Sequence, residues 1–487
     1  MNTTHFSTRP RPLAQAGWVM LFLFLALVLG LASALLPAWF LVAALLVPAV
    51  AVLVLVRPEL GLLAMIAFAC GLVHPAIQPR IPLFGGALST ADATLAMLVL
   101  YALGTWASQG QLPKAAPVQG ARWMAIALSL FGVCLLIAVP LSLFYRDLNP
   151  TFVLAESRHF LYLLTLPVAV IILRQPERQR RFVIGIVVLG CLFSVGQVLQ
   201  GVFNIEVFGV ASRLVVLETL GREEHGTTRT LTLGIGVVIW ALLLIVGANL
   251  LGLVRKPMFF AVAGLLLLGI TLTFGRTTYA VAAVGLLMVV WWLNLKKLPQ
   301  LVGLFVLFVA LGSATVGLLR PQSLEAAYYR LTSIGTEVAS GYSAQGRLWE
   351  FDAMLPRIEE QPLTGIGLGA DYISRKGISS TSALDRYVHN TYLFIAGKLG
   401  LPALTFWLAA VAAIFVMGRR LAKAGHSPGV RVIGAAGAAM MGCYVLAAVT
   451  EPHFHSDYSL VVIASVGALV YLSARRALPS PAADAIA

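Results

Sequence analysis

Charge is scarce in this chain. Only 11% of its 487 residues are Asp, Glu, Lys or Arg, whereas 59% are hydrophobic, and an ordinary soluble domain carries about a quarter charged residues. That excludes a water-soluble globular protein of usual composition. Cysteine is scarce as well: Cys70, Cys134, Cys191 and Cys443 all fall inside apolar runs, with neither a CxxC pair nor a Cys/His spacing among them. A disulfide framework and a zinc site are thereby excluded. Nucleotide motifs are missing too. Gly365-Ile-Gly-Leu-Gly369 lacks both the G-x-G-x-x-G spacing and the Lys-Ser/Thr of a P-loop, so a glycine-permitted turn that packs its loop is the expectation there. No Asp-x-Asp pair stands in a loop, which argues against a metal-dependent glycosyltransferase.

What the chain does have is apolar length. Runs of about 17 to 25 apolar residues suffice to cross the hydrocarbon layer as helices, and lipid offers no water to satisfy a backbone left outside a helix or a closed barrel. The runs lack the alternation of barrel strands. Fourteen segments read as apolar helices: 17–35, 38–56, 59–74, 90–107, 123–144, 159–173, 182–203, 230–252, 258–274, 277–294, 300–319, 391–418, 432–450 and 457–474. The expected fold class is therefore all-α, a polytopic integral membrane protein with about 12–14 transmembrane helices and one large exported loop containing short helices.

Basic residues support this count. Lys and Arg gather on the cytoplasmic side of short loops, and Arg9, Arg11, Arg57, Lys114, Arg122, Arg174 to Arg181, Arg255, Lys256, Lys296, Lys297, Arg419 to Arg431, Arg475 and Arg476 all fall on one side. Both termini are then expected in the cytoplasm. The opposite connections, 145–158, 204–229 and 320–389, mix acids with bases and are expected outside it. Ala32-Ser-Ala34 resembles a signal-peptidase site, but the apolar stretch before it is long for a signal peptide, and an uncleaved first helix is expected. The net charge of +14 is scattered between spans rather than grouped with exposed aromatics, so topology explains it and no nucleic-acid partner is expected.

The chain divides into N-terminal membrane helices over 1–319, a large loop over 320–389, and C-terminal helices with a short tail over 390–487. Within the loop, Leu348, Phe351, Leu355 and Ile358 recur at helical spacing, so 345–360 reads as an amphipathic helix ended by Pro362. Such a helix lies on the membrane surface or caps a cavity. Lys376 to Ser382 has linker composition.

Several arginines stand on the exported side: Arg158, Arg213, Arg222, Arg229, Arg276, Arg320, Arg330, Arg347 and Arg357. A guanidinium presents a planar donor fork that suits phosphate oxygens. Arg276 is the most telling, because Thr273-Phe-Gly-Arg-Thr-Thr278 leaves almost no loop between two apolar runs, so its side chain either anchors at the interface or enters a polar cavity. Arg229 follows Glu223 and Glu224, which offer a simpler pairing role. His389 and Asn390 stand just before the run 391–418; such a histidine is either an interfacial cap or a neutral imidazole, kept so by the helix start, that accepts a proton. His453 and His455 form a second cluster with Glu451 and Asp457. A metal site lacks a third imidazole in the sequence, and a supporting site wall is the better expectation.

Four motifs in order, Gly346-Arg347-Leu-Trp349, Pro362-Leu-Thr-Gly365-Ile-Gly367-Leu-Gly369, His389-Asn390-Thr-Tyr392-Leu393 and Gly397-Lys-Leu-Gly400, resemble the O-antigen ligase and polymerase superfamily over residues 340–402. The resemblance implies a glycosyltransferase of the bacterial inner membrane with its site at the periplasmic face. Its donor would be a glycan on undecaprenyl diphosphate, its acceptor a hydroxyl of lipid A core or of a growing surface polysaccharide. It implies no nucleotide, metal or other cofactor. By the same resemblance His389 is the catalytic residue. Arg229 and Arg276 are the donor-diphosphate residues, with Arg222 and Arg158 as substitutes, and Arg347, Asn390 and Tyr392 support the loop and acceptor. The expected helix count exceeds that usual for the ligases, so ligase and polymerase both stay open. Protein O-oligosaccharyltransferase activity is the rival within the enzyme class. A transporter or flippase is the rival outside it, though the charges lie at the rim rather than at mid-membrane and paired repeats are absent.

Overall fold

The computed structural model describes residues 38–74, 78, 81–83, 86–109, 119–203, 205, 207–208, 213–216, 228–273, 275–299, 302–303, 306, 310, 342–372 and 388–477. In chain order the elements used below are α1 (Ala38–Val56), α2 (Pro58–Ala69), β1 (Ile81–Leu83), β2 (Gly86–Leu88), α3 (Thr90–Gln109), α4 (Gln119–Pro140), α5 (Pro150–Phe160), α6 (Thr165–Ile172) and α7 (Pro176–Phe203). There follow β3 (Arg213–Val216), β4 (Thr228–Leu231), α8 (Ile235–Leu250), α9 (Lys256–Thr271), α10 (Arg276–Leu293), α11 (Tyr342–Glu360), α12 (Thr391–Leu399), α13 (Leu401–Ala424), α14 (Pro428–Ala447) and α15 (Asp457–Ala477).

The molecule is the all-α polytopic membrane protein that its apolar runs imply. Among the described residues eight helical stretches are long and apolar enough to cross a bilayer, and Pro58–Ala69, Ile235–Leu250 and Lys256–Thr271 are shorter apolar helices. The segments 17–35 and, for nearly all its length, 300–319 lie outside the described residues, as do Ala32 to Ala34 and Lys376 to Ser382. Two small antiparallel hairpins, β1–β2 and β3–β4, stand in connections that the sequence left without structure.

The centre of the bundle is built by α8, α14 and α15. Residues on every face of α8 are buried, Trp240 and Leu242 to Val246 among them, as expected for a helix that is apolar all round. At the periphery α4 is apolar too, yet Leu136 and Ile137 on it are exposed, the mark of a face turned to lipid. The pair α13 and α14 approaches through small residues: a Cβ on Gly418 would come within 2.8 Å of the Gly434 carbonyl oxygen, and one on Gly434 within 2.7 Å of the Gly418 oxygen. Without a hydrophobic drive between helices in lipid, this backbone proximity is what gives the contact its dispersion energy.

Basic residues gather at one end. Arg181 bonds the buried Glu59 at the start of α2 (2.8 Å), Arg476 at the end of α15 bonds Gln179 near the start of α7 (3.1 Å), and Lys297 caps the Leu250 carbonyl at the end of α8 (3.1 Å). The starts of α8, α10 and α12 and the end of α14 meet at the other end, around the cavity described below.

The run read as 391–418 is two helices, divided at Gly400. Its φ of +92° is left-handed, and any side chain there would collide with the Leu363 carbonyl. The turn 362–370 docks at this break. Leu401 donates to the Pro362 oxygen (2.8 Å), Ile366 to Gly397 (2.6 Å) and Gly367 to Lys398 (3.1 Å). Lys398 is wholly buried and pairs with Glu156 (3.1 Å) and the Ala370 carbonyl, while Glu156 also accepts from the Gly369 amide (2.7 Å). Gly365-Ile-Gly-Leu-Gly369 is thus a packing turn with three positive φ angles, as expected.

The loop helix forms as α11, over Tyr342–Glu360, with Pro362 two residues beyond its end. Its inner face differs from the expected one. Glu350 and Met354 are buried, Phe351 and Ile358 half-buried, and Leu348 and Leu355 exposed. The apolar stripe therefore straddles the edge of the contact instead of forming its centre.

Candidate active site

His389 is held from two directions. From α11, the buried Glu350 (5% exposed) accepts the His389 backbone amide at 2.9 Å on one carboxylate oxygen and meets the ring Nδ1 at 2.5 Å with the other. A carboxylate on Nδ1 assigns the proton to that nitrogen and leaves Nε2 as the acceptor. From the end of α14 and the segment just after it, the three residues after His389 are bound in turn. Asn390 caps α12 by accepting from Leu393 (3.0 Å) and donates to the Val449 carbonyl (3.0 Å). Thr391 donates its amide to Ala448 (3.0 Å) and its hydroxyl to the Glu451 carbonyl (2.9 Å). Tyr392 donates its hydroxyl to Val445 (2.5 Å). Glu350 was invisible in the sequence, because the stripe of Leu348, Phe351, Leu355 and Ile358 turned position 350 away from the core.

His389 lines a cavity of about 290 Å³ at this end of the bundle. Thr232 and Leu233 before α8, Ile235, Gly236 and Ile239 on it, Thr277, Thr278 and Val281 on α10, one face of α14 from Met440 to Ala447, and Glu451, Pro452, His453 and Tyr458 line the rest. Of the two histidines expected together as a site wall, His453 lines this cavity. Burial pushes its imidazole down to about 4, so it is neutral at ordinary pH, with Nδ1 3.0 Å from the Ser459 hydroxyl. His455 does not join it: its ring stacks on Phe394 at 3.9 Å, and burial pushes it well below the usual histidine range.

The arginines are distributed unevenly about this cavity. Arg276 opens α10, directly before Thr277 and Thr278, and its neighbour Thr277 meets Thr450 (3.4 Å). The expected shortness of that connection is observed, α9 ending at Thr271 and α10 beginning at Arg276. Arg229 belongs to β4, three residues before Thr232. Arg347 lies on α11 one turn before Glu350, with Nη2 4.0 Å from the Glu451 carboxylate. Arg158 is engaged elsewhere: Asp92 takes its Nη2 at 2.6 Å and its Nε at 3.0 Å, and Tyr162 donates to the same carboxylate (2.9 Å). Arg222 lies outside the described residues.

The arrangement joins a carboxylate-held imidazole, a cavity with hydroxyl and imidazole groups on its wall, and an arginine at the start of the helix whose next two residues line that cavity. It can accept a proton from a hydroxyl and hold an anionic group beside it. A search of curated proteins found no match to the chain. The family described as O-antigen ligase matches residues 261–408, a span that runs from α9 into α13 and includes Arg276, Arg347, Glu350 and His389. This match supports the resemblance to the O-antigen ligase and polymerase superfamily over that part of the chain.

Proposed function

We propose that the chain is a glycosyltransferase that moves a glycan from undecaprenyl diphosphate to a hydroxyl of lipid A core or of a growing surface polysaccharide, at the periplasmic face of a bacterial inner membrane. The observation that carries this reading is the His389–Glu350 pair at the cavity, within the family match.

In the proposed reaction His389 accepts the proton of the acceptor hydroxyl at Nε2. The acceptor oxygen bonds to the anomeric carbon of the donor while the bond from that carbon to the diphosphate oxygen breaks. The electron pair leaves with the diphosphate, held by Arg276 and Arg229, and the imidazolium returns its proton to water. Fixed guanidinium charges act where negative charge develops, and the ring is pre-oriented by Glu350, so the rate gain comes from electrostatics and positioning.

The test is transfer from a lipid-linked glycan to acceptor by the purified chain in proteoliposomes. His389→Ala is expected to lower the rate by about 10²- to 10⁴-fold, the usual worth of a positioned general base, with the protein still inserted and monodisperse. Full activity in that variant would sink the assignment.

A further inference from the structure

We infer that the cavity beside His389 is a subsite for the first sugar of the donor, the single pyranose attached to the diphosphate. The inference rests on the proposed function and adds which part of the substrate this cavity takes.

Size decides against longer occupants. Ligand pockets run from roughly 300 to 1,000 Å³, and this one, at about 290 Å³, suits one ring rather than an oligosaccharide. Its lining descends from Ala447 to Met440 along α14, seven residues of helix, or about 10 Å. That depth admits a ring and its substituents and stops.

Chemistry decides against the diphosphate. Among the described lining residues there is no Lys or Arg, and Glu451 brings a carboxylate that already faces Arg347 at 4.0 Å, so the lining offers an anion no counter-charge of its own. A sugar is matched better: Ile239, Val281 and Met440 offer apolar contact for ring C–H groups, and Thr277, Thr278 and His453 offer neutral hydrogen-bonding groups for its hydroxyls. The polar side is also fixed in place. His453 meets Ser459 at 3.0 Å, and the absence of a side chain at Gly236 leaves room for the Tyr444 hydroxyl, which a Cβ would approach to 2.5 Å.

Connectivity orders the parts. Arg276 directly precedes Thr277 and Thr278, so a diphosphate held at the start of α10 has its attached sugar beside the cavity. The anomeric carbon then lies between the leaving group and His389.

The test compares two probes on the full chain in nanodiscs: undecaprenyl diphosphate bearing no sugar, and the same lipid bearing one hexose. Ala447→Leu fills the cavity; Thr278→Val removes a hydroxyl at nearly constant volume and serves where the larger change prevents folding. The expected result is that Ala447→Leu binds the sugar-free lipid within about twofold of wild type and the sugar-bearing lipid about tenfold more weakly, with a loss of about threefold for Thr278→Val. Equal weakening of both probes would mean that the isoprenoid or diphosphate occupies the cavity, and unchanged binding of both would mean that nothing of the donor does. Either overturns the subsite while leaving the transfer reaction intact. If wild type binds neither probe, the proposed function falls and the subsite with it.

Discussion

At the scale of the residue, the account turns on how one imidazole is held. Glu350 takes both the backbone amide and Nδ1 of His389, so Glu350→Ala removes two acceptors at once, whereas Glu350→Gln keeps one amide oxygen for the ring. The expected order of kcat is wild type, then Gln, then Ala, with KM for the donor little changed, read from initial rates on folded protein. A rise in KM with kcat intact would instead place Glu350 in binding. His453 gives a pH signature. Its imidazole is pushed down to about 4 by burial, below the ordinary 6.5, so the unfolded chain takes up that proton first. The stability it contributes is complete above about pH 6.5 and is lost as pH falls from there towards about 4, by up to about 3 kcal/mol. Thermal melts of wild type in detergent should fall over that window, and His453→Gln should flatten the fall. His389 and Arg276 stood out as candidates in the sequence because each stands at the edge of an apolar run, where a polar residue is conspicuous. Glu350 was not, because four apolar residues fitted helical spacing and only tertiary contact shows which side of that stripe faces inward.

At the scale of the element, α12 is nine residues long and is fixed in register by its partners rather than by its own length. Lys398 is central to this, wholly buried against Glu156 and joined to the turn 365–370. Lys398→Met strands a carboxylate that also accepts the Gly369 amide, and an expected loss of about 3 to 5 kcal/mol follows from breaking one side of a buried pair. Glu156→Gln added to it should restore part of the loss; denaturation of the two variants measures this, and strictly additive losses would contradict a direct coupling. The turn itself was legible from its glycines, since three of them in five residues demand positive φ. The break at Gly400 was not read, because the apolar run continues across it and only the approach of Leu363 shows why a glycine is needed there. The hairpins were missed for a similar reason, their strands being three or four residues long, too short for a two-residue period to show.

At the scale of the whole molecule, the apolar runs that fall among the described residues form helices, the run 391–418 as two of them. What they left undetermined was which helices lie at the centre. Lipid and protein neighbours are equally apolar, so α4 and α8 look alike in composition although one exposes Leu136 and the other buries Trp240. The alternation of basic loops has a counterpart in the contacts of Arg181, Arg476 and Lys297 at one end and the cavity at the other. Single cysteines at Asp371 and at Lys423 are therefore expected to react with a membrane-impermeant maleimide from opposite sides, Asp371→Cys from the periplasm. Labelling of both from one side would contradict the arrangement.

The most direct measurement of the central claim is the surface polysaccharide of cells lacking the gene, complemented with wild type or with His389→Ala. The account predicts that wild type restores the glycan ladder and that His389→Ala, inserted at equal level, does not, with lipid-linked glycan accumulating or only single repeats attached. Full restoration by His389→Ala would contradict it.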